Sequence, residues 1–212
     1  MIAYLSFYKG LEKGDVSLVS PVGATWGLVT AILGVIFFKE ALSFTQISAV
    51  ALIILSVIML SINIKDILKE KKFKLLIGVK EGIIAMLGWG ISLFLLVLPG
   101  KSLGWFLPAF IFRSFVLLIL STYIIFSKKQ FVPKKIKFPI FLLLLIGIFD
   151  VGGFFSYSFG VAGGYASVVA PIGSAFALVS VILAKIFLKE KLDISKIIGI
   201  CGIVIGLILI SI

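Results

Sequence analysis

Ser17-Leu18-Val19-Ser20-Pro21-Val22-Gly23 returns as Ser167-Val168-Val169-Ala170-Pro171-Ile172-Gly173, 150 residues further on. The same offset lays Phe37-Phe38-Lys39-Glu40-Ala41-Leu42 over Phe187-Leu188-Lys189-Glu190-Lys191-Leu192. Extended without a gap, Ala3–Ile62 and Gly153–Ile212 are identical at 21 of 60 positions. Apolar bias inflates such a score, but the matched Pro, Gly, Lys and Glu do not arise from it. The chain is therefore built on an internal duplication.

The composition says where this duplication lives. Of the 212 residues 61% are apolar and 14% charged, against roughly 45–50% and about 25% in a soluble domain. Seven runs reach the ~17–25 residues that cross a bilayer core: Val16–Phe38, Thr45–Ile64, Gly82–Leu98, Trp105–Phe126, Phe138–Ala162, Tyr165–Leu188 and Ile194–Ile212. Each is bounded by charge or by Gly and Pro. Ile2 to Tyr8 is apolar but too short to span, and it lacks the layout of a signal peptide. It reads as the last two turns of a helix. The predicted fold is all-α, a polytopic helical membrane protein.

The repeat partner of the first span is the sixth. An odd number of crossings separates them, so the two copies point in opposite directions through the membrane. Inverted repeats are the usual plan of secondary transporters, with the substrate site between the halves near the midplane. The competing reading is an old duplication kept only for packing.

Absences narrow the chemistry. There is no histidine, which excludes His-based acid/base catalysis and His-ligated metals. Cys201 is the single cysteine and cannot form an intramolecular disulfide. No carboxylate pair, Gly-rich phosphate loop or Ser/Lys nucleophile pattern appears, so a membrane enzyme is disfavoured and no cofactor is implied. The net charge of +11 comes from lysines and one arginine, Arg113. In a membrane chain it signals topology and lipid-headgroup contact, not nucleic-acid binding. Counting crossings puts seventeen lysines on one side, and Lys39 and Lys101 on the other. The positive-inside rule then places the lysine-rich loops in the cytoplasm.

Several residues could carry function. Pro21 and Pro171 each remove the bond to the carbonyl four residues earlier, on Ser17 and Ser167. These four form symmetry-related helix-break candidates, either near a substrate path or as packing kinks. Trp89, between two glycines in mid-span, suits a cavity wall or an ordinary core position. Ser156 and Tyr157 are further polar candidates in the fifth span; Ser92 and Ser174 are weaker. Lys185 and Lys196 lie near span ends, where lysines snorkel, and Glu40 and Glu190 read as solvated loop residues. Arg113 and Asp150 are charges of opposite sign inside apolar spans. Each lies about 20 Å along its helix from the loop joining the fourth and fifth spans, so both sit at one depth on neighbouring helices. A charge at the bilayer centre costs at least ~2.5 kcal/mol. The pair is expected to face the bundle interior, as a substrate- or proton-coupling site or as a structural salt bridge.

The stretches Tyr4-Leu5-Ser6-Phe7-Tyr8-Lys9-Gly10-Leu11, Ser17-Leu18-Val19-Ser20-Pro21 and Phe37-Phe38-Lys39-Glu40-Ala41-Leu42-Ser43, and the copy ending at Leu192, resemble the back half of an EamA repeat. Gly88-Trp89-Gly90 resembles that repeat's opening helix, and Phe112-Arg113-Ser114-Phe115 its arginine-bearing second helix. The resemblance implies a carrier of the drug/metabolite transporter superfamily with two inverted five-helix repeats, and a cavity lined by the helix of Trp89. On that plan residues 1–64 are a partial first repeat, 65–81 a basic loop and 82–212 a complete second repeat. Two helices and most of a third would be absent from the first, as in a fragment, a late start codon or a decayed gene. The family usually keeps both chain ends inside, whereas the lysine count puts Ile212 outside.

The sequence therefore points to a secondary transporter, an exporter of small metabolites such as amino acids, working by alternating access in the plasma or inner membrane. Its partners would be membrane lipids, a small-molecule substrate and a second subunit in a homo- or hetero-dimer. The alternative is a non-transporting membrane remnant or a helical partner subunit.

Overall fold

The computed structural model describes residues 1–61, 77–127, 139–189 and 194–210. Most of the basic loop 65–81, the loop Lys128–Lys137 and Glu190 lie outside them. Among the described residues there are ten helices: α1 Ile2–Lys13, α2 Val16–Ala24, α3 Trp26–Phe38, α4 Phe44–Ser61, α5 Val79–Leu103, α6 Phe106–Ser127, α7 Ile140–Gly163, α8 Ala166–Ser174, α9 Phe176–Phe187 and α10 Ile194–Ile210. Five stretches are long and apolar enough to cross a membrane, with α4 and α10 as shorter apolar helices. The chain is a polytopic helical membrane protein.

The first and sixth spans are each two helices, broken at Thr25 and Ala175. These residues are repeat mates with matching dihedrals, φ −65° and ψ 2° at Thr25 and φ −63° and ψ −8° at Ala175. The break was expected one turn earlier. The helix instead runs through Pro21 and Pro171, because proline's fixed φ suits a helix even where its bond is lost. What loosens the later turn is a hydroxyl competing for carbonyls. Thr25 Oγ1 donates to the Val22 carbonyl at 2.6 Å, and Ser174 Oγ donates to that of Ala170 at 3.1 Å. Lys39 and Lys189, also repeat mates, are the only non-glycine residues of positive φ among the described residues, at 51° and 55°. The duplication is thus written in the backbone as well as in the side chains.

Two compact units make up the chain. One comprises Ile2–Leu95 and Gly164–Ile212. In it α3 packs on α8 and α4 on α10. Both pairs run antiparallel. Gly27 lies against Ser174 and Ala170 while Gly34, two turns on, lies against Ser167 and Ala166. Likewise Gly202 meets Ser56 and Gly206 meets Ile53 and Ala49. α4 and α10 come from opposite copies of the repeat, as do α3 and α8, and they meet head to tail as an inverted duplication requires. Repeat-related Ile53 and Ile203, both fully buried, share one core cluster with Ala24, Val57, Ala177 and Val181. With no hydrophobic drive between helices in lipid, small residues and close packing hold such a bundle together.

The other unit, with Met1, is Leu96–Gly163. It is centred on the α6–α7 pair. Trp105, Phe106, Phe155 and Phe159 cluster at the start of α6, with ring centroids 5.5–6.2 Å apart. Ser158, fully buried, donates to the Trp105 carbonyl at 2.7 Å. The apolar windows of α6 and α7 are only 6% and 11% buried within the chain.

Candidate functional site

On α6 and α7 the expected ion pair is present. Arg113 Nη1 stands 2.8 Å from Asp150 Oδ2, and Nη2 donates to the Asp150 carbonyl at 3.2 Å. The guanidinium also lies 4.2 Å above the centre of the Phe154 ring, a face that attracts cations. Phe112 stacks on the other partner of that contact, with 5.4 Å between its ring centroid and that of Phe154. Asp150, Phe154 and Tyr157 follow a spacing of four and three, so they share one stripe of α7. Tyr157 is buried, whereas Ser156, around the helix from it, is exposed.

One part of the expectation fails. Arg113 faces inward, with its side chain 19% exposed, but that of Asp150 is 47% exposed. An α7 that buries so little of its surface leaves the carboxylate's outer edge open.

Trp89 in the other unit is part of a packed cluster. Its ring lies 4.8 Å from that of Phe7 and 5.4 Å from that of Tyr4. Its flanking glycines let neighbours in: a Cβ on Gly88 would come within 2.8 Å of Ala3, and one on Gly90 within 2.5 Å of Val29. Thr30 on α3 donates to the Gly90 carbonyl at 2.9 Å. The Gly-Trp-Gly run therefore joins α5 to α1 and α3.

The residues that sequence reasoning missed are charged. Glu40 is buried, not solvated, at 7% exposure. Its Oε1 accepts from the Ala166 amide at 2.9 Å, and its Oε2 from the Ser167 amide at 2.9 Å and the Ser167 hydroxyl at 2.5 Å. It thus caps the N-terminus of α8, where orphan amides and the helix dipole favour an anion. The left-handed turn at Lys39 reverses the chain after α3 and aims Glu40 back at α8. Lys196 does not snorkel out. It is buried at 8% exposure and donates from Nζ to the Ser17 hydroxyl. Ser17 and Ser167, singled out for their carbonyls, are used through their hydroxyls. A signal was available: the Ser and Lys-Glu pairs recur at one offset, and a solvated glutamate has no reason to recur with them.

An apolar groove of about 600 Å3 runs between α3 and α4, lined by Leu28, Ala31, Val35, Ile47, Val50 and Ile54 among others. Its polar end is Glu40 and Ser167, already committed to each other. At the far end of the same unit Lys13 Nζ pairs with Glu81 Oε1 at 2.7 Å, closing α1 onto the start of α5.

The antiparallel contact of the repeat mates α4 and α10 makes this an inverted-repeat membrane protein. The chain belongs to the EamA-like transporter family, which it matches over residues 1–62 and 76–212. Members of that family are membrane transporters, not enzymes. Over 63 residues the chain is also 36% identical to an uncharacterised protein of Methanocaldococcus jannaschii. That match covers 30% of this chain and 46% of the archaeal protein, so the chain spans about half the length of the curated relative it matches.

Proposed function

We propose that the protein is a secondary transporter that exports small metabolites, amino acids or related compounds, across the plasma or inner membrane by alternating access. The observation that carries this reading is the Arg113–Asp150 pair, 2.8 Å apart on two otherwise apolar helices. Charges at that depth are costly, and where they occur they mark substrate or ion pathways. In this reading Arg113 meets the anionic group of a substrate, Asp150 is the titratable coupling member, and Phe154 and Tyr157 form the wall beside them. Ser156 and Trp89 are weaker substrate contacts, the first facing outward and the second packed among aromatics. No cofactor is needed. The test is Asp150→Asn in cells challenged with toxic amino-acid analogues: resistance should be lost at unchanged protein level. Unchanged resistance removes Asp150 from coupling.

A second reading follows from the open surface of Asp150 and the little-buried α6 and α7. Here the chain is a non-transporting remnant, or a helical subunit whose second chain, in a homo- or hetero-dimer, covers these helices. A complex heavier than one chain plus its detergent and lipid, lost on placing a charge on α6, favours it.

A further inference from the structure

α3 and α4 both pack on α8, and the groove of about 600 Å3 lies between them. Apart from Glu40 and Ser167, every residue that lines it is aliphatic. Ala31 and Val50 are buried, whereas Ile32, Val35, Ile47 and Leu55 are 43–60% exposed. The groove therefore has a buried floor and walls open to the surface, which in a bilayer means open to lipid.

Its length is that of one leaflet. Leu28 lies near the middle of the span Val16–Phe38, and the helix rises ~15 Å from there to Phe38. On the other arm Ile54 lies ~15 Å along α4 from Phe44. Half of a ~30 Å hydrocarbon core is also ~15 Å. A helix is too thick to enter: at ~10 Å across it occupies ~1,200 Å3 over that length, twice the volume of the groove. An acyl tail is one methylene wide.

The two ends differ as the ends of a lipid do. The end at midspan is wholly apolar. At the membrane face Lys39, exposed, precedes Glu40. The Glu40 carboxylate is turned to the amides of α8, so Lys39 gives this end a positive charge, which draws anionic headgroups. The second copy of the repeat lacks this wall. Lys185 is the mate of Val35, and Val181, part of the buried core, is the mate of Ala31.

We propose that the groove between α3 and α4 holds one acyl tail of an anionic membrane phospholipid, with its headgroup at Lys39. A tail gains nothing from burial as such, because the bilayer is equally apolar. Contact with close walls and the charge on the headgroup supply the preference. The inference does not depend on what the protein transports.

Photolabelling of the full chain tests it, in nanodiscs of mixed phosphatidylglycerol and phosphatidylcholine. One lipid at a time carries a diazirine, either at the tail end or next to the carbonyl, and the labelled residues are mapped by mass spectrometry. With phosphatidylglycerol the tail-end probe should mark residues 28–32 and 50–55, and the carbonyl probe residues 36–42, each about five-fold above the exposed residues of α6 and α7. Ala51→Phe, a substitution at an exposed lining residue, should reduce groove labelling to the level of α6 and leave α6 and α7 unchanged. Lys39→Gln should lower the ratio of phosphatidylglycerol to phosphatidylcholine labelling at residues 36–42 about five-fold. Labelling spread evenly over α3, α4, α6 and α7 in the parent protein overturns the site without need of a variant. So does a zero-length crosslink from α3 or α4 to another chain, which would show a protein partner in the groove. A ratio unchanged by Lys39→Gln overturns the headgroup contact.

Discussion

Gly27 on α3 lies directly against Ser174 on α8: a Cβ at Gly27 would overlap the Ser174 hydroxyl and stand 2.7 Å from the Ala170 carbonyl oxygen. This contact sets how closely the two copies of the repeat approach. Gly27→Ala should lower stability by about 1–3 kcal/mol, the usual cost of overpacking. Adding Ser174→Gly should restore only part of it, because the Ala170 backbone cannot move aside. Thermal unfolding in detergent measures both, and a Gly27→Ala protein as stable as its parent contradicts the packing described.

Substitutions at the Glu40 cap should rank by the number of buried groups they strand. Ser167→Ala removes one hydroxyl and its bond. Glu40→Ala leaves two amides and a hydroxyl without their acceptor, each at a cost of about 1–3 kcal/mol. The expected order of melting temperatures is parent, Ser167→Ala, Glu40→Ala. A solvated glutamate would give three equal values.

The left-handed turn at Lys39 makes its own prediction. Lys39→Gly should be close to neutral, since relief of the turn offsets the extra freedom of the unfolded chain. Lys39→Val should lose about 1–2 kcal/mol, because a β-branched side chain resists positive φ. Equal melting points for the two variants would show that the turn is not held.

The helical spans were legible because length and apolarity alone decide what can cross a bilayer. The first span was read as Val16–Phe38 and the structure gives the same limits. The Arg113–Asp150 pairing was legible because a short hairpin fixes relative depth. Glu40 was not, since its partner Ser167 is 127 residues away and a neighbouring lysine makes any glutamate look solvated. The break at Thr25 was also missed. Proline draws the eye, whereas the hydroxyl that loosens the turn, at 2.6 Å from the Val22 carbonyl oxygen, is a common helix side chain.

Topology follows from the lysine distribution. Lys13 and Lys39 stand at opposite ends of the first span. In a Cys201→Ser background, Lys39→Cys should react with a membrane-impermeant thiol reagent added to intact cells, and Lys13→Cys should not. The reverse pattern would show that the family's usual orientation prevails over the charge count.

The most direct test of the carrier reading is flux through the purified full chain. Proteoliposomes loaded with a panel of labelled amino acids are compared with empty vesicles and with vesicles holding equal amounts of Asp150→Asn or Arg113→Leu. The account predicts at least one solute that leaves faster than from empty vesicles, with that excess cut about ten-fold or more in both variants. Flux equal to that of empty vesicles for every solute, or flux indifferent to both substitutions, would contradict it.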